Sequence, residues 1–144
     1  MEKPVEAIMR GGQFKQFSEQ EMSELRKKYD LKRLELEVVY FLSICGGENT
    51  VVSIHAYLNA NKGHISQTLF SLCEKGLVTS EQDKKDRRYI HYRLTSEGEL
   101  IADQMKMVWD RLKGKMFEGI SREEIEVFKR VSRKICENIS RELK

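Results

Sequence analysis

The fold is decided by the stretch NKGHISQTLFSLCEKGLVTSEQDKKDRRYIHYRLT, residues 61–95. Its first part places Ile65, Leu69 and Leu72 at helical spacing and ends at Gly76, a pattern typical of a short helix with a glycine stop. LVTSEQ and YIHYRLT then have strand composition, and the charged turn between them predicts a hairpin. We therefore expect a short helix followed directly by two antiparallel strands.

Two further helices precede this segment. LKRLELEVVYFLSICGG repeats apolar residues at helical spacing up to a glycine pair, and NTVVSIHAYLNA does so over a shorter length. Only Asn59 to Asn61 separate the second of these helices from the one that begins near Lys62, so the pair predicts a helix-turn-helix. Upstream, Ser18 and Glu21 in FSEQEM predict a helix start with a capping box, after a short arm or helix over residues 1–13.

Two helices follow the hairpin. Thr95 or Ser96 begins a long helix, and Ser121 with Glu124 forms a capping box for the last one. Apolar stripes on residues 100–117 and 125–139 are expected to face inward. They are wider than one small domain can cover, which predicts a two-fold partner.

The complete order predicts a mainly α protein with a small antiparallel β-hairpin wing, that is, a winged helix-turn-helix flanked by N- and C-terminal helices. Residues 1–30 form the N-terminal arm and helix, residues 31–95 the winged helix-turn-helix domain, and residues 96–144 the C-terminal dimerisation helices. Such a domain places its second short helix in the major groove of double-stranded DNA.

Composition agrees with this class. The chain has 144 residues, 34% of them charged, and a single proline, which favours a helical domain. No apolar run approaches the ~20 residues of a membrane span, and the N-terminus has no hydrophobic signal core, so we expect a cytoplasmic location and no membrane contact. The cysteines and histidines lack metal-binding spacing, and no phosphate loop or nucleophile motif is present. We therefore expect no metal, no cofactor and no enzymatic activity.

Charge is concentrated near the proposed recognition helix. Residues 61–93 carry seven basic and four acidic side chains, which is the whole net excess of +3. A local basic excess is typical of polyanion binding. Gly63 would permit close backbone approach, Gln67 can bond adenine through two atoms, and Ser66 can reach a phosphate or a base. The alternative is an ordinary solvated helix face. The candidate DNA-binding residues of this helix are Asn61, Lys62, Gly63, His64, Ser66, Gln67 and Ser71.

The hairpin turn supplies a second set of candidates. Lys84, Lys85, Arg87 and Arg88 are four cations that can contact phosphates or a narrow minor groove, although charged residues also suit a solvated turn. Asp86 would oppose DNA, so we interpret it as a brace that shapes the turn and fixes an arginine.

For several other side chains the sequence allows two interpretations. Phe70 could touch thymine methyl groups, but we expect it to pack against the preceding helix. His55 is expected at a crowded helix–helix contact and not in a sensor. Glu35 and Glu37 are interpreted as a solvated helix face and not as an acid/base pair. The three cysteines are expected to be small core hydrophobes: Cys45, Cys73 and Cys136.

Residues 61–101 resemble the core of the MarR family of bacterial and archaeal transcription regulators. The most specific signature is a D-x-R in the wing followed by L-T-x-x-G. The residues that carry it are Asp86, Arg88, Leu94, Thr95 and Gly98, preceded by Ser66, Leu69, Leu72, Lys75, Gly76 and Leu77. The resemblance implies a homodimer with intertwined terminal helices that binds a pseudo-palindromic operator, most often as a repressor. His55 and Phe70 depart from the family pattern.

The resemblance also implies a way of sensing. Many members respond to small aromatic or lipophilic ligands in a cleft between the dimer helices and the winged domain, to which Phe14, Phe17, Tyr40 and Trp109 could contribute here. Other members use a metal or a cysteine near the N-terminus, and this chain has no cysteine there. The predicted function is a sequence-specific DNA-binding regulator released by a ligand. The alternative is a winged-helix protein-interaction module without sequence-specific DNA binding.

Overall fold

The computed structural model describes Ile8 and residues 11–143 of the chain. It confirms a mainly helical fold with one two-stranded hairpin. The described elements are α1 (Gly12–Tyr29), α2 (Arg33–Ile44), α3 (Val51–Tyr57), α4 (Lys62–Glu74), β1 (Val78–Gln82), β2 (Ile90–Leu94), α5 (Ser96–Met116) and α6 (Arg122–Glu142). The chain divides into two units, Met1–Asp110 and Arg111–Lys144, and the division falls inside α5. Within the described residues, no helix has the length and apolar composition that crossing a membrane requires.

The core of the first unit is built by apolar side chains that recur at helical spacing. Leu36 of α2, Ile54 of α3, Leu69 of α4 and Met105 of α5 all lie in one buried cluster with at most 1% of their surface exposed. The helix-turn-helix is fixed by two N-caps. Thr50 accepts a hydrogen bond from the Ser53 N–H at 3.3 Å, and Asn61 accepts one from the His64 N–H at 2.7 Å.

The wing is an antiparallel hairpin. Val78 pairs with Leu94 and Gln82 with Ile90. The alternation of YIHYRLT predicts that Ile90, Tyr92 and Leu94 share the face that covers the helices. Tyr92 and Leu94 pack partly buried against the core. Ile90 lies at the turn end of the hairpin, and 42% of its surface is exposed.

The L-T-x-x-G segment joins the hairpin to α5. The Thr95 hydroxyl donates to the Gly76 carbonyl oxygen at 2.8 Å and accepts the Gly98 N–H at 3.1 Å. A Cβ atom on Gly98 would lie 2.2 Å from the carbonyl oxygen of Leu77. The motif therefore has a structural cause, because only glycine lets α5 begin this close to the residue that precedes β1.

The start of α1 differs from the expectation. The helix begins at Gly12, so Ser18 and Glu21 lie inside it and the predicted capping box is wrong. The Ser18 hydroxyl donates to the Lys15 carbonyl oxygen at 3.0 Å and accepts from Arg33 Nη2 at 2.9 Å, which satisfies it without a helix end. Except for Ile8 and residues 11–13, the expected N-terminal arm lies outside the described residues.

The second unit contains α6. Ser121 and Glu124 form the predicted capping box, with the Glu124 N–H donating to Ser121 Oγ at 3.1 Å. The apolar stripe of α6 was expected to face inward, yet no described residue of this helix is buried. Between 46% and 50% of the surface of each of its main members is exposed: Phe128, Val131, Ile135 and Ile139.

Candidate nucleic-acid interface

One face of α4 is polar and exposed along its N-terminal half. Its inward residues Ile65, Leu69 and Leu72 have no exposed surface. A Cβ on Gly63 would meet only the Asn61 Oδ1 atom, at an ordinary 3.5 Å, so packing within the chain does not require glycine there. The predicted DNA-binding residues on this exposed surface are Asn61, Lys62, Gly63, His64, Ser66 and Gln67.

Ser71, the seventh candidate of this helix, belongs to a different environment. It is half-buried, and its hydroxyl donates to Glu35 Oε2 at 3.0 Å. Lys75 Nζ donates to the same oxygen at 2.9 Å, and Glu35 Oε1 accepts the Lys32 N–H at 2.8 Å. Ser71 therefore joins α4 to α2 through its hydroxyl, a structural role that its assignment to DNA did not anticipate.

Glu35 was interpreted as part of a solvated face, and this is wrong for Glu35 because only 3% of its surface is exposed. Burial alone would raise the pKa of its carboxyl, but hydrogen bonds from the Lys32 N–H, Lys75 and Ser71 lower the pKa overall. A buried, ionised carboxylate thus fixes the orientation of α4 on α2.

Phe70 is 66% exposed, so the expected packing against the preceding helix is wrong. The cause is the direction in which the side chain leaves the helix axis. Phe70 is turned by ~100° from Leu69, and the inward positions of α4 are already filled by smaller aliphatic side chains.

Asp83 closes the turn of the wing. Its Oδ1 atom accepts the N–H groups of Lys85 and Asp86, both at 2.8 Å, and its own N–H donates to the Tyr89 carbonyl oxygen at 2.9 Å. A hydrogen bond from His91, followed by the two N–H donors, lowers the pKa of Asp83 to about 2. The carboxylate is therefore ionised and held by the turn throughout the neutral range.

Contacts through His91 and Asn49 connect this turn to the helical domain. His91 on β2 contacts Asp83 Oδ2 through Nε2 at 2.7 Å and Asn49 Oδ1 through Nδ1. Asn49 is 3% exposed, and its main-chain carbonyl oxygen accepts the Tyr92 N–H at 3.0 Å. These contacts could not be predicted from the sequence. Asn49 lies 42 residues before His91, and no local pattern connects the two.

Asp86 holds Arg88 in a two-point ion pair. Asp86 Oδ1 accepts from Arg88 Nε at 3.0 Å and Oδ2 accepts from Nη2 at 2.8 Å, while the Arg88 N–H also donates to Oδ1 at 3.1 Å. The arginine's hydrogen bond to Asp86 lowers the pKa of Asp86. The Arg88 side chain remains 85% exposed.

The acidic and basic residues of the wing thus occupy different places. Both aspartates are half-buried and bind groups within the turn. The four predicted cations are exposed: Lys84, Lys85, Arg87 and Arg88. The tip of the hairpin therefore presents positive charge outward.

A cleft of about 1020 Å³ lies between α1, α2, α3, the start of α4 and α5 within the first unit. Phe14, Tyr40 and Trp109 line it, and the Trp109 ring lies 6.3 Å from Phe14 and 6.1 Å from Tyr40. Phe17 is not among the lining residues. The charged side chains at the cleft are Lys15, Arg26, Lys32, Arg33 and Glu37.

His55 and Cys136 are more accessible than expected. His55 is exposed and its Nδ1 atom lies 2.7 Å from the Ala60 carbonyl oxygen, so it occupies no crowded helix–helix contact. Cys136 is exposed on α6, whereas Cys45 and Cys73 are partly buried. Burial raises the pKa of both partly buried thiols, which favours the thiol over the nucleophilic thiolate.

The same fold is found in proteins of known structure. Residues 31–98 match the model of a winged helix DNA-binding domain. A MarR transcriptional regulator from Methanosarcina mazei Go1 superposes with a TM-score of 0.76 at 17% identity, over 92% of this chain and 95% of that chain. FabT of Streptococcus pneumoniae, in complex with DNA, gives 0.62 at 24% identity, over 80% and 79%. The organohalide-sensing RdhR regulator, bound to 2,4-dichlorophenol, gives 0.69 at 18% identity, over 96% and 82%.

These findings show that residues 31–98 form a winged helix DNA-binding domain. The chain has the fold of solved MarR-family transcription regulators, which confirms the fold implied by Asp86, Arg88 and the L-T-x-x-G segment.

Proposed function

We propose that this protein is a homodimeric transcription repressor that binds a pseudo-palindromic operator and is released by a small aromatic or lipophilic ligand. The observation that carries DNA binding is the separation of charge in the wing. Asp83 and Asp86 bind groups within the turn, while the four cations remain exposed. The outer surface of the tip is therefore positively charged, which suits contact with a polyanion such as DNA.

The two parts of the interface have different tasks in this proposal. The exposed face of α4 enters the major groove, where Gln67 and Ser66 read base edges and Gly63 lets the backbone approach. The wing contacts phosphates or the minor groove. Asp86 holds the Arg88 guanidinium in one orientation, so less side-chain entropy is lost when its remaining N–H groups meet a phosphate. FabT, which shares the fold, was solved in complex with DNA.

Dimerisation is supported by α6. Its apolar stripe is about half exposed along its length. An amphipathic helix with an uncovered stripe is unfavourable in water unless a partner covers it, and a two-fold copy offers the same stripe. In such a dimer the two α4 helices would lie ~34 Å apart, one turn of DNA.

Ligand release is supported by the cleft of the first unit. Its lining combines aromatic side chains with lysines and arginines, which suits a small aromatic molecule that carries a polar group. The cleft is also lined by His64 and Thr68 of α4, so a bound ligand would contact the helix proposed to read DNA. RdhR, of the same fold, was solved with 2,4-dichlorophenol.

The DNA proposal is tested by titrating the protein with a random duplex at several salt concentrations. We expect binding at ~50 mM salt that weakens steeply as salt rises, because cations that contact phosphates release counterions. Arg87→Ala should reduce the salt slope by about one unit. Lys106→Ala removes the same charge from the exposed surface of α5 and serves as the matched control. Absence of binding at low salt would favour a protein-interaction module.

Selection of bound sequences from random duplexes tests the dimer proposal. A pseudo-palindrome with half-sites about 10 base pairs apart is expected. Ile135→Glu should shift the sedimentation of the protein from dimer to monomer, and an unchanged sedimentation coefficient would contradict the role of α6.

Release of the selected duplex by 2,4-dichlorophenol or a related phenol tests whether the cleft binds the ligand. The fluorescence of Trp109, which lines the cleft, should report its occupancy.

A further inference from the structure

The Phe70 side chain is left largely exposed by the described chain. It is 66% exposed, and it is the single large apolar side chain that α4, which is described over its full length, leaves exposed. The inward residues of the same helix are completely buried, so the ring is not an overflow of a crowded core. A phenylalanine in water forgoes the favourable burial of its ring, which points to a contact made in a complex.

The residues beside the ring on α4 indicate what kind of partner it contacts. Phe70 follows Gln67 by three residues and Gly63 by seven, so the three residues share one face of α4. The other solvent-facing neighbours of the ring on this helix are Ser66 and Glu74. On α4 the ring is therefore the one large apolar group of a polar face, whereas protein-binding surfaces are built from contiguous apolar patches. A single apolar group among hydrogen-bonding side chains suits a base edge, where the C5-methyl of thymine is the apolar feature of the major groove.

We propose that Phe70 is a specificity-determining residue that recognises a thymine by packing its ring against the thymine C5-methyl. The proposal rests on the proposed DNA binding and extends it, because it names the base and the chemical group that are read. Phe70 would distinguish thymine from cytosine, which has no methyl group at C5, without forming a hydrogen bond.

Replacing single thymines of the selected operator by deoxyuridine tests the proposal, because this change removes only the methyl group. With the unmodified protein, one thymine per half-site should give about fourfold weaker binding, since burial of one methyl-sized group is worth ~0.8 kcal/mol. Phe70→Ala should bind the intact operator about tenfold more weakly and should no longer respond to deoxyuridine at that position. Phe70→Leu should keep part of both effects.

Two controls separate this role from others. Val52→Ala shortens an exposed apolar side chain on α3, and it should change neither the affinity nor the response to deoxyuridine. Affinity for random duplex should change less than twofold in Phe70→Ala. Because the ring is exposed, the melting temperature of that variant should stay close to that of the unmodified protein.

The outcomes are distinct. The proposal is overturned if the unmodified protein binds the operator but tolerates deoxyuridine at every thymine, or if Phe70→Ala binds as tightly as the unmodified protein. Equal loss of operator and random-duplex binding, or loss of the dimer in sedimentation, would assign the ring to another contact. If the unmodified protein binds no duplex at all, the proposed DNA binding itself fails, and this proposal falls with it.

Discussion

Glu35 offers the sharpest test of how the proposed recognition helix is held. Its carboxylate is 3% exposed and accepts hydrogen bonds from the Lys32 N–H at 2.8 Å, Ser71 Oγ at 3.0 Å and Lys75 Nζ at 2.9 Å. Glu35→Gln keeps the shape and can still accept the Lys32 N–H, but it loses the charge. The lost charge assistance to Lys75 and Ser71 should lower the free energy of unfolding by about 1–2 kcal/mol.

Lys75 limits this magnitude. Its side chain is 38% exposed, so water screens the pair and the 3–5 kcal/mol typical of a fully buried ion pair does not apply. In a double-mutant cycle of Glu35→Gln with Lys75→Met, the coupling energy should be about 1 kcal/mol. Glu35→Ala removes the capping bond as well and should cost about 3 kcal/mol in total.

Urea unfolding at one fixed protein concentration measures these values. Glu74→Gln, on the exposed end of α4, is the matched control and should change stability by less than ~0.5 kcal/mol. The folded-state pKa of Glu35 is lowered, so its contribution is fully present above pH 4.5 and is lost as pH falls through the lowered value. The difference between Glu35→Gln and the unmodified protein should shrink accordingly in acid. The reasoning is refuted if Glu35→Gln is as stable as the unmodified protein at pH 7, or if the coupling energy is zero.

Three further predictions follow from local geometry. Gly98→Ala should lower the free energy of unfolding by roughly 2–3 kcal/mol in urea titrations, because its Cβ would lie 2.2 Å from the Leu77 carbonyl oxygen. Gly63→Ala meets no obstacle and should raise the free energy of unfolding by up to ~1 kcal/mol, yet weaken operator binding in a gel-shift titration. Asp83→Asn should speed amide exchange in the turn of the wing. In the unmodified protein the same protection should persist at pH 4 and disappear as pH falls toward about 2, since the pKa of Asp83 is lowered.

The parts of the fold that sequence predicted are those with local causes. Helical spacing, the Ser121 capping box and the strand–turn–strand pattern each depend on residues within a few positions of one another, and all three are present. The predicted start of α1 is wrong because it, too, was based on a local pattern alone. Ser18 and Glu21 have the local signature of a helix start, but Ser18 is satisfied by Lys15 and Arg33 within a helix that begins at Gly12.

The missed features of the site are polar contacts between distant residues. Glu35 meets Ser71 across 36 positions, and Asn49 meets His91 across 42. Periodicity marks apolar residues as inward and polar residues as outward, so it misreads any polar residue that has a buried partner. Ser71 was misplaced for this reason, and Phe70 for the converse one. The errors therefore fall on the side chains that orient α4 and on the one large apolar side chain that its outer face presents.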